Sequence, residues 1–336
     1  MIKVIAPALR HPTNRTLEDF HRYWGDTHGP LFCNTRRLRG YVQHLTLPEA
    51  YGGDPAPTYD GVSMFFYDDM SLQSVSTSDP EIYELLSDLF GVPRKPAEGI
   101  EEDDPRDVEL LRAVLKDDAQ LFDRTTTWPM HGKRASVIAE ERVIVDGATT
   151  PDMVKAIFIA GKLPGLTLVE FFAHWQYHHG PLGAKVPGVR RYVQNHAIPE
   201  AYAGGTHTHD GWSEMWFDDL AALQAAVASP EWQALAEDGA TLFAQPMGVG
   251  IARERIQKDP AGGWTPSDWG VKAMSEDEVR ARLAEQGYGA LAADPGAPGA
   301  IKRAAERDAL AVWTEEHLVT IDESRIDERP ERDVTP

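Results

Sequence analysis

The histidines of this chain fall where proton transfer is a natural use for them. His28 and His179 each lie near the end of a helical run, "TLEDFHRYWGDTHGPL" at 16–31 and "TLVEFFAHWQYHHGPL" at 167–182. A helix C-terminus favours imidazolium, so both are expected to have a raised pKa and to act as proton donors. Further on, strand alternation puts Tyr192, Gln194 and His196 on one face and Val193 with Asn195 on the other. Three polar side chains on one strand face are costly to bury without partners. Glu214 stands in mid-strand between Trp212 and Trp216, where desolvation would raise its pKa toward neutrality. Together these groups suit general acid–base chemistry. His179 and His196 would move protons, Tyr192 and Gln194 would hold a carbonyl or hydroxyl, and Glu214 would orient or ionise a histidine. The bland alternatives are a histidine bonded to a backbone carbonyl beside a Gly-Pro turn, and a glutamate in a salt bridge to arginine.

The elements that must position these groups occur twice. The helical run recurs at an offset of 151 residues, as do "RGYVQHLTLPEAYGG" and "RRYVQNHAIPEAYAG". With one residue deleted, the match continues through "YDGVSMFFYDDM" and "HDGWSEMWFDDL". Such self-similarity is the mark of duplication. Each copy opens on a β-branched apolar run, "IKVIAPAL" or "MVKAIFIA", which reads as a buried strand. A helix follows, with Leu17, Phe20, Trp24, His28 and Leu31, or Leu168, Phe171, Trp175, His179 and Leu182, on one face. Thr16 and Thr167 stand at the N-cap, Glu170 completes a capping box, and Gly29-Pro30 and Gly180-Pro181 are expected to stop the helix. Two strands, a helical stretch after Asp68-Asp69 or Asp218-Asp219, and a last strand complete the order β-α-β-β-α-β. The aspartate pairs read as helix caps.

This order gives an α+β, ferredoxin-like unit whose sheet is covered by helices on one face only. The bare face needs a partner, and the tethered duplicate supplies one. The expected architecture is an intramolecular dimeric α/β barrel, an internal pseudo-dimer that could assemble further into homo-oligomers. The first repeat spans 1–146, with an insertion at about 89–115 that reads as a surface helix and loop. The second spans 152–258, and an extension at 259–336 carries Trp264, Trp269 and Trp313.

The copies are not equal. Where the second has His196 and Glu214, the first has Leu45 and Met64, while His44 points to the opposite face from Tyr41 and Gln43. Losing one acid–base group costs about 10²- to 10⁴-fold in rate. The working pocket is therefore expected in the second repeat, with Trp175, Trp216, Gln194, Asn195 and His178 contacting substrate. His28, Tyr41 and His44 are the first-repeat residues assigned to substrate contact.

His174 and His178, at i and i+4, could chelate a metal, as could the His207/His209 pair. The first repeat has Tyr23 and Thr27 at the matching helix positions, and no carboxylate completes a recognisable motif, so neither metal nor cofactor is expected. No Gly-rich phosphate loop, nucleophile elbow or HExxH occurs, which argues against nucleotide-dependent, serine-hydrolase and zinc-protease chemistry. A net charge of −20 argues against nucleic acid and anionic membranes as partners. Cys33 is the only cysteine and no apolar run approaches a membrane span, so a cytoplasmic protein acting on a hydrophobic small molecule is expected.

His-Gly-Pro-Leu, "YVQ" followed by His or Asn, "PEAY" and the "DG…DD" strand, in that order and twice, resemble the EthD family of the dimeric α/β-barrel superfamily. The resemblance covers roughly 1–145 and 153–257. It implies a pocket between sheet and helices and cofactor-independent chemistry on hydrophobic molecules, since relatives include polyketide decarboxylases, dehydratases and cyclases. A lyase, dehydratase or decarboxylase, is the leading expectation. A binding protein without turnover is the second, and a monooxygenase or haem enzyme of the same superfamily the third.

Overall fold

The computed structural model describes residues 2–11, 16–35, 38–68, 77–90, 104–123, 137–198 and 209–260. His207, Asp69, Trp264, Trp269, Trp313 and nearly all of the extension lie outside them. Among the described residues eight antiparallel strands close into one barrel. They are β1 (Ile2–Ala8), β2 (Leu38–Thr46), β3 (Gly61–Tyr67), β4 (Val137–Val145), β5 (Val154–Ala160), β6 (Arg191–Ala197), β7 (Gly211–Phe217) and β8 (Gly248–Lys258). The order around the barrel is β1-β3-β2-β8-β5-β7-β6-β4. Each repeat thus contributes a four-stranded sheet, β4-β1-β3-β2 or β8-β5-β7-β6, and the two meet edge to edge at β2/β8 and β4/β6. Closure removes the free edges that a lone sheet would expose.

Helix α1 (17–32) packs over the first sheet and α4 (168–183) over the second. Thr16 and Thr167 cap them by accepting from the backbone N–H of Asp19 and Glu170, and Glu170 returns the bond to the Thr167 N–H. The Gly-Pro pairs do not end these helices. Each chain passes through a π turn, Trp24–His28 or Trp175–His179, and resumes α-helix at Gly29 or Gly180. Proline is tolerated there because it falls in the first turn of the resumed α-segment, where its missing N–H matters least. In the first copy the Gly25 carbonyl is taken instead by Gln257 Nε2 at 2.8 Å.

The indoles of Trp24 and Trp175 are fully buried over Gly61 and Gly211, where a Cβ would collide with the ring. Truncating either indole to alanine is expected to cost about 3–5 kcal/mol.

Beyond β3, α2 (Pro80–Phe90) packs on α3 (Pro105–Leu121). Val114, Leu115, Asp118 and Leu121 of α3 are buried, so this helix runs through the expected end of the insertion and belongs to the body of the domain. In the second repeat α5 (Leu220–Val227) and α6 (Pro230–Gly239) occupy the corresponding place, with Asp219 as the cap of α5.

Candidate functional site

Strand pleating sends alternate side chains of β6 and β7 to opposite sides of the sheet. One side faces α4 and the other faces the barrel interior. Tyr192, Gln194 and His196 face α4 together with Trp175 and His179. Asn195, Glu214 and Trp216 face the interior, as does His44. Glu214 and His196, expected in one pocket, lie on opposite sides of the sheet, because Glu214 pairs with Val193 and His196 with Gly211.

On the helix-facing side, Gln194 Nε2 donates to the Trp175 carbonyl at 2.8 Å and to the Tyr192 hydroxyl at 3.0 Å. Gln43 Nε2 makes the same two bonds, at 2.8 and 3.0 Å, to the Trp24 carbonyl and the Tyr41 hydroxyl. The pair therefore holds a carbonyl of each π turn, a structural duty common to both copies. Burial pushes the Tyr41 and Tyr192 phenols well above their ordinary pKa, so both stay neutral.

His196 has no counterpart in the first copy. Its ring packs against both Phe172 and Trp175, neighbours on α4, with centroids 4.7 and 4.8 Å away, and it is 1% exposed. Nε2 lies 3.1 Å from Gln194 Oε1. An amide oxygen only accepts, so Nε2 carries the proton and Nδ1 is a bare lone pair. That Nδ1 is buried and has no hydrogen-bond partner among the described residues. Burial, reinforced by Arg142, depresses the His196 pKa far below the ordinary value.

His179 does not touch His196; Trp175 and Phe243 stand between them. Its Nδ1 pairs with Asp238 of α6 at 2.7 Å, and His28 pairs likewise with Asp117 of α3 at 2.8 Å. For His179 the expected rise in pKa is reversed: burial pushes it down and outweighs the pull of Asp238. The helix continues past His179, so no free C-terminus lies beside it to favour the cation.

The first copy bears an open groove of about 470 Å³, lined by Glu18, His21, Arg22, Asp26, Leu45, Pro48 and Arg255. In the second copy the helix positions matching Glu18, His21, Arg22 and Asp26 are Val169, Phe172, Ala173 and Tyr177. A polar surface has become an apolar enclosure around His196.

The barrel interior holds a charge network that the sequence analysis missed. Lys3 Nζ bonds Glu141 at 2.6 Å and Glu214 at 2.5 Å. Lys155 Nζ bonds Glu214 at 2.6 Å, His44 Nε2 at 2.9 Å and also Glu254. Glu214 further accepts from Asn195 at 3.0 Å and Trp212 at 3.1 Å. Trp216 receives the Lys155 ammonium on its face, 3.9 Å from the ring centroid. Burial by itself would raise the Glu214 pKa, as the sequence suggested. The two ammonium groups outweigh it and hold the carboxyl well below its usual range. His44 donates from Nδ1 to the Val62 carbonyl at 3.0 Å and is kept neutral by burial and by Lys155. The visible signal was a lysine at the second position of both apolar strands, Lys3 in β1 and Lys155 in β5.

On the outer side of α4, His174 and His178 converge on Asp238, with Nε2–Oδ1 separations of 2.7 and 3.3 Å. The carboxylate that the sequence analysis found wanting is thus supplied from α6, about sixty residues away in the chain.

A closed barrel assembled from two ferredoxin-like halves, with buried polar groups beneath a helix that carries a π turn, defines a dimeric α/β-barrel protein formed within a single chain. The EthD domain model matches residues 13–88 and 163–246, one match per repeat. The EthD domain thus occurs twice in the chain, once in each repeat. Among solved structures, an ethyl tert-butyl ether D family protein from Bacillus halodurans C-125 is 26% identical, over 31% of this chain and 99% of its own, with a TM-score of 0.27. An anthrone oxidase-like protein is 12% identical, over 79% and 96%, with a TM-score of 0.38. A dimeric protein of ferredoxin-like fold from Bacteroides fragilis NCTC 9343 is 15% identical, over 30% and 96%, with a TM-score of 0.25. No curated protein matches the chain. Among the described residues no helix is long and apolar enough to cross a membrane.

Proposed function

We propose that the second repeat is a cofactor-independent acid–base enzyme, a lyase of the dehydratase or decarboxylase type, acting on a hydrophobic aromatic or polyketide-like molecule. The observation that carries this reading is the buried Nδ1 of His196, which has no hydrogen-bond partner among the described residues. Leaving such a nitrogen without a donor costs about 1–3 kcal/mol, which the leucine of the first copy avoids. A charged imidazolium is disfavoured in this enclosure, so the resting ring is a base, and Gln194 dedicates Nδ1 to that task.

In a dehydration, Nδ1 takes the proton from the carbon next to the substrate carbonyl. The C–H electron pair becomes the new double bond as the C–O bond breaks, and the imidazolium returns its proton to the departing hydroxyl as water. In a decarboxylation of a β-keto acid, Nδ1 first takes the carboxyl proton; the C–C bond then breaks to release carbon dioxide, its electrons form the enolate, and the imidazolium returns the same proton to that carbon. Entry of a substrate requires Phe172 or Trp175, which stack on the imidazole, to swing aside. His179, held by Asp238, is the second group assigned to proton transfer, with Tyr192 and Gln194 positioning the ring and turn.

The test is a panel of hydrophobic aromatic β-hydroxy ketones and β-keto acids, followed by mass spectrometry for loss of water or carbon dioxide. Wild-type protein turns over at least one member, and His196→Gln falls by about 10²- to 10⁴-fold. Turnover of the same compound at wild-type rate by His196→Gln would refute the assignment. Tight binding with no change in mass would instead identify a carrier.

A further inference from the structure

We propose that His174 Nε2, His178 Nε2 and Asp238 Oδ1 form a binding site for one first-row divalent transition cation, with Zn²⁺ the best fit. The site goes beyond the acid–base reading and shares with it only Asp238, whose Oδ2 holds His179; it lies between α4 and α6 and His196 is not a member.

Donor chemistry comes first. Two imidazoles and one carboxylate suit Zn²⁺, Co²⁺, Ni²⁺ or Cu²⁺ rather than Mg²⁺ or Ca²⁺, which take oxygen ligands. The three ligand atoms lie within 4.8 Å of one another. Two ligands on a tetrahedral ion with bonds of about 2.0–2.1 Å stand roughly 3.3 Å apart. The His178–Asp238 separation is already 3.3 Å, and the His174 contact of 2.7 Å needs to open by a rotamer-scale shift. The two rings are 4.9 Å apart and nearly perpendicular, 83°, so both Nε2 atoms can aim at one point beside the carboxylate.

The surroundings support the same assignment. Asp238 Oδ2 is held by His179 Nδ1 at 2.7 Å, which orients the carboxylate and leaves Oδ1 for the ion. The His174 and His178 side chains are 15% and 29% exposed, so an ion can enter and water can complete its shell. Comparison of the copies isolates what was added. The first retains the histidine–aspartate pair, His28 with Asp117, but has Tyr23 donating to Asp117 at 2.5 Å and Thr27 at the remaining position. The scaffold is common to both repeats; the two extra imidazoles belong to the second alone.

The experiment is calorimetric titration of the chelator-stripped full chain with Zn²⁺, and with Co²⁺ followed by its visible d–d absorption. One ion per chain is expected, with a Co²⁺ spectrum of four- or five-coordinate type. His174→Ala combined with His178→Ala lowers affinity at least 100-fold. His178→Gln, which keeps the polarity and near-native volume, lowers it at least 10-fold while circular dichroism remains that of wild type. Tyr23→Phe leaves binding unchanged, because the first copy does not contribute. His196→Gln also binds as wild type does, so loss of turnover and loss of ion binding are separable. Absence of a stoichiometric ion, two equivalent ions per chain, or full binding by the double variant would each overturn the proposal.

Discussion

Replacing Lys155 by methionine is the sharpest probe of how the barrel is held shut. In the interior, two ammonium groups serve three carboxylates, and Lys155 is the cation between Glu214 and Glu254. Methionine fills the volume but leaves Glu254 without its ammonium and Glu214 with Lys3 alone. Removing one partner of a buried ion pair costs about 3–5 kcal/mol; the Glu254 side chain is 17% exposed, so the lower end, about 3 kcal/mol, is expected. Glu214→Met is expected to cost less, about 1–3 kcal/mol, since Lys3 retains Glu141 and Lys155 retains Glu254. The double variant should be less damaged than the two losses added together, by about 0.5–3 kcal/mol.

Urea unfolding followed by tryptophan fluorescence measures all three, with Arg190→Ala as a control. The Arg190–Asp218 pair is about half exposed, so its loss should be small beside that of the buried network. The pH dependence supplies a second check. Glu214 and Glu254 are held below the ordinary carboxyl value of 4.5, so their contribution to stability is present above that pH and is lost as pH falls through their folded values. The gap between wild type and Lys155→Met should therefore be widest above pH 4.5 and narrow below it. A Lys155→Met loss as small as that of Arg190→Ala, or strict additivity in the double variant, would refute the idea that the network is desolvated and coupled.

Other outcomes follow from the same geometry. Gln43→Leu and Gln194→Leu should destabilise by similar amounts, about 1–3 kcal/mol each in denaturant melts, because each strips a donor from a π-turn carbonyl. A loss confined to Gln194 would contradict the shared structural duty. Gly211→Ala should cost more than either, since its Cβ would meet the Asn195 carbonyl and the Trp175 ring; circular dichroism melts would measure it. His44 and His196 are buried neutral with depressed pKa values, so stability should be full above about pH 6.5 and decline as pH falls, by up to about 1.4 kcal/mol per pH unit for each. His196→Leu should flatten that slope in thermal melts between pH 7.5 and 5.5.

Much of the architecture was legible in one dimension because it depends on local, repeating constraints. The duplication, the β-α-β-β-α-β order, the threonine caps and the apolar helix faces are all written as spacing, and a sheet with one bare face has few ways to satisfy itself. His196 was recognisable as a histidine with no twin in the first copy, and Tyr192 with Gln194 as its companions on the strand face. The helix beyond Gly-Pro was not legible, because a π turn absorbs the proline through a change of hydrogen-bond register that composition does not record. Neither was the fate of Glu214. Its neighbours in sequence are tryptophans, but its partners come from β1 and β5, and only barrel closure places two lysines against it. Asp238 reached His174, His178 and His179 the same way, across a helix–helix contact. Sequence determined which side chains share a face; tertiary structure decided which charges meet, because electrostatic environment depends on distance through space and on exclusion of water, and neither is a property of a residue's position along the chain.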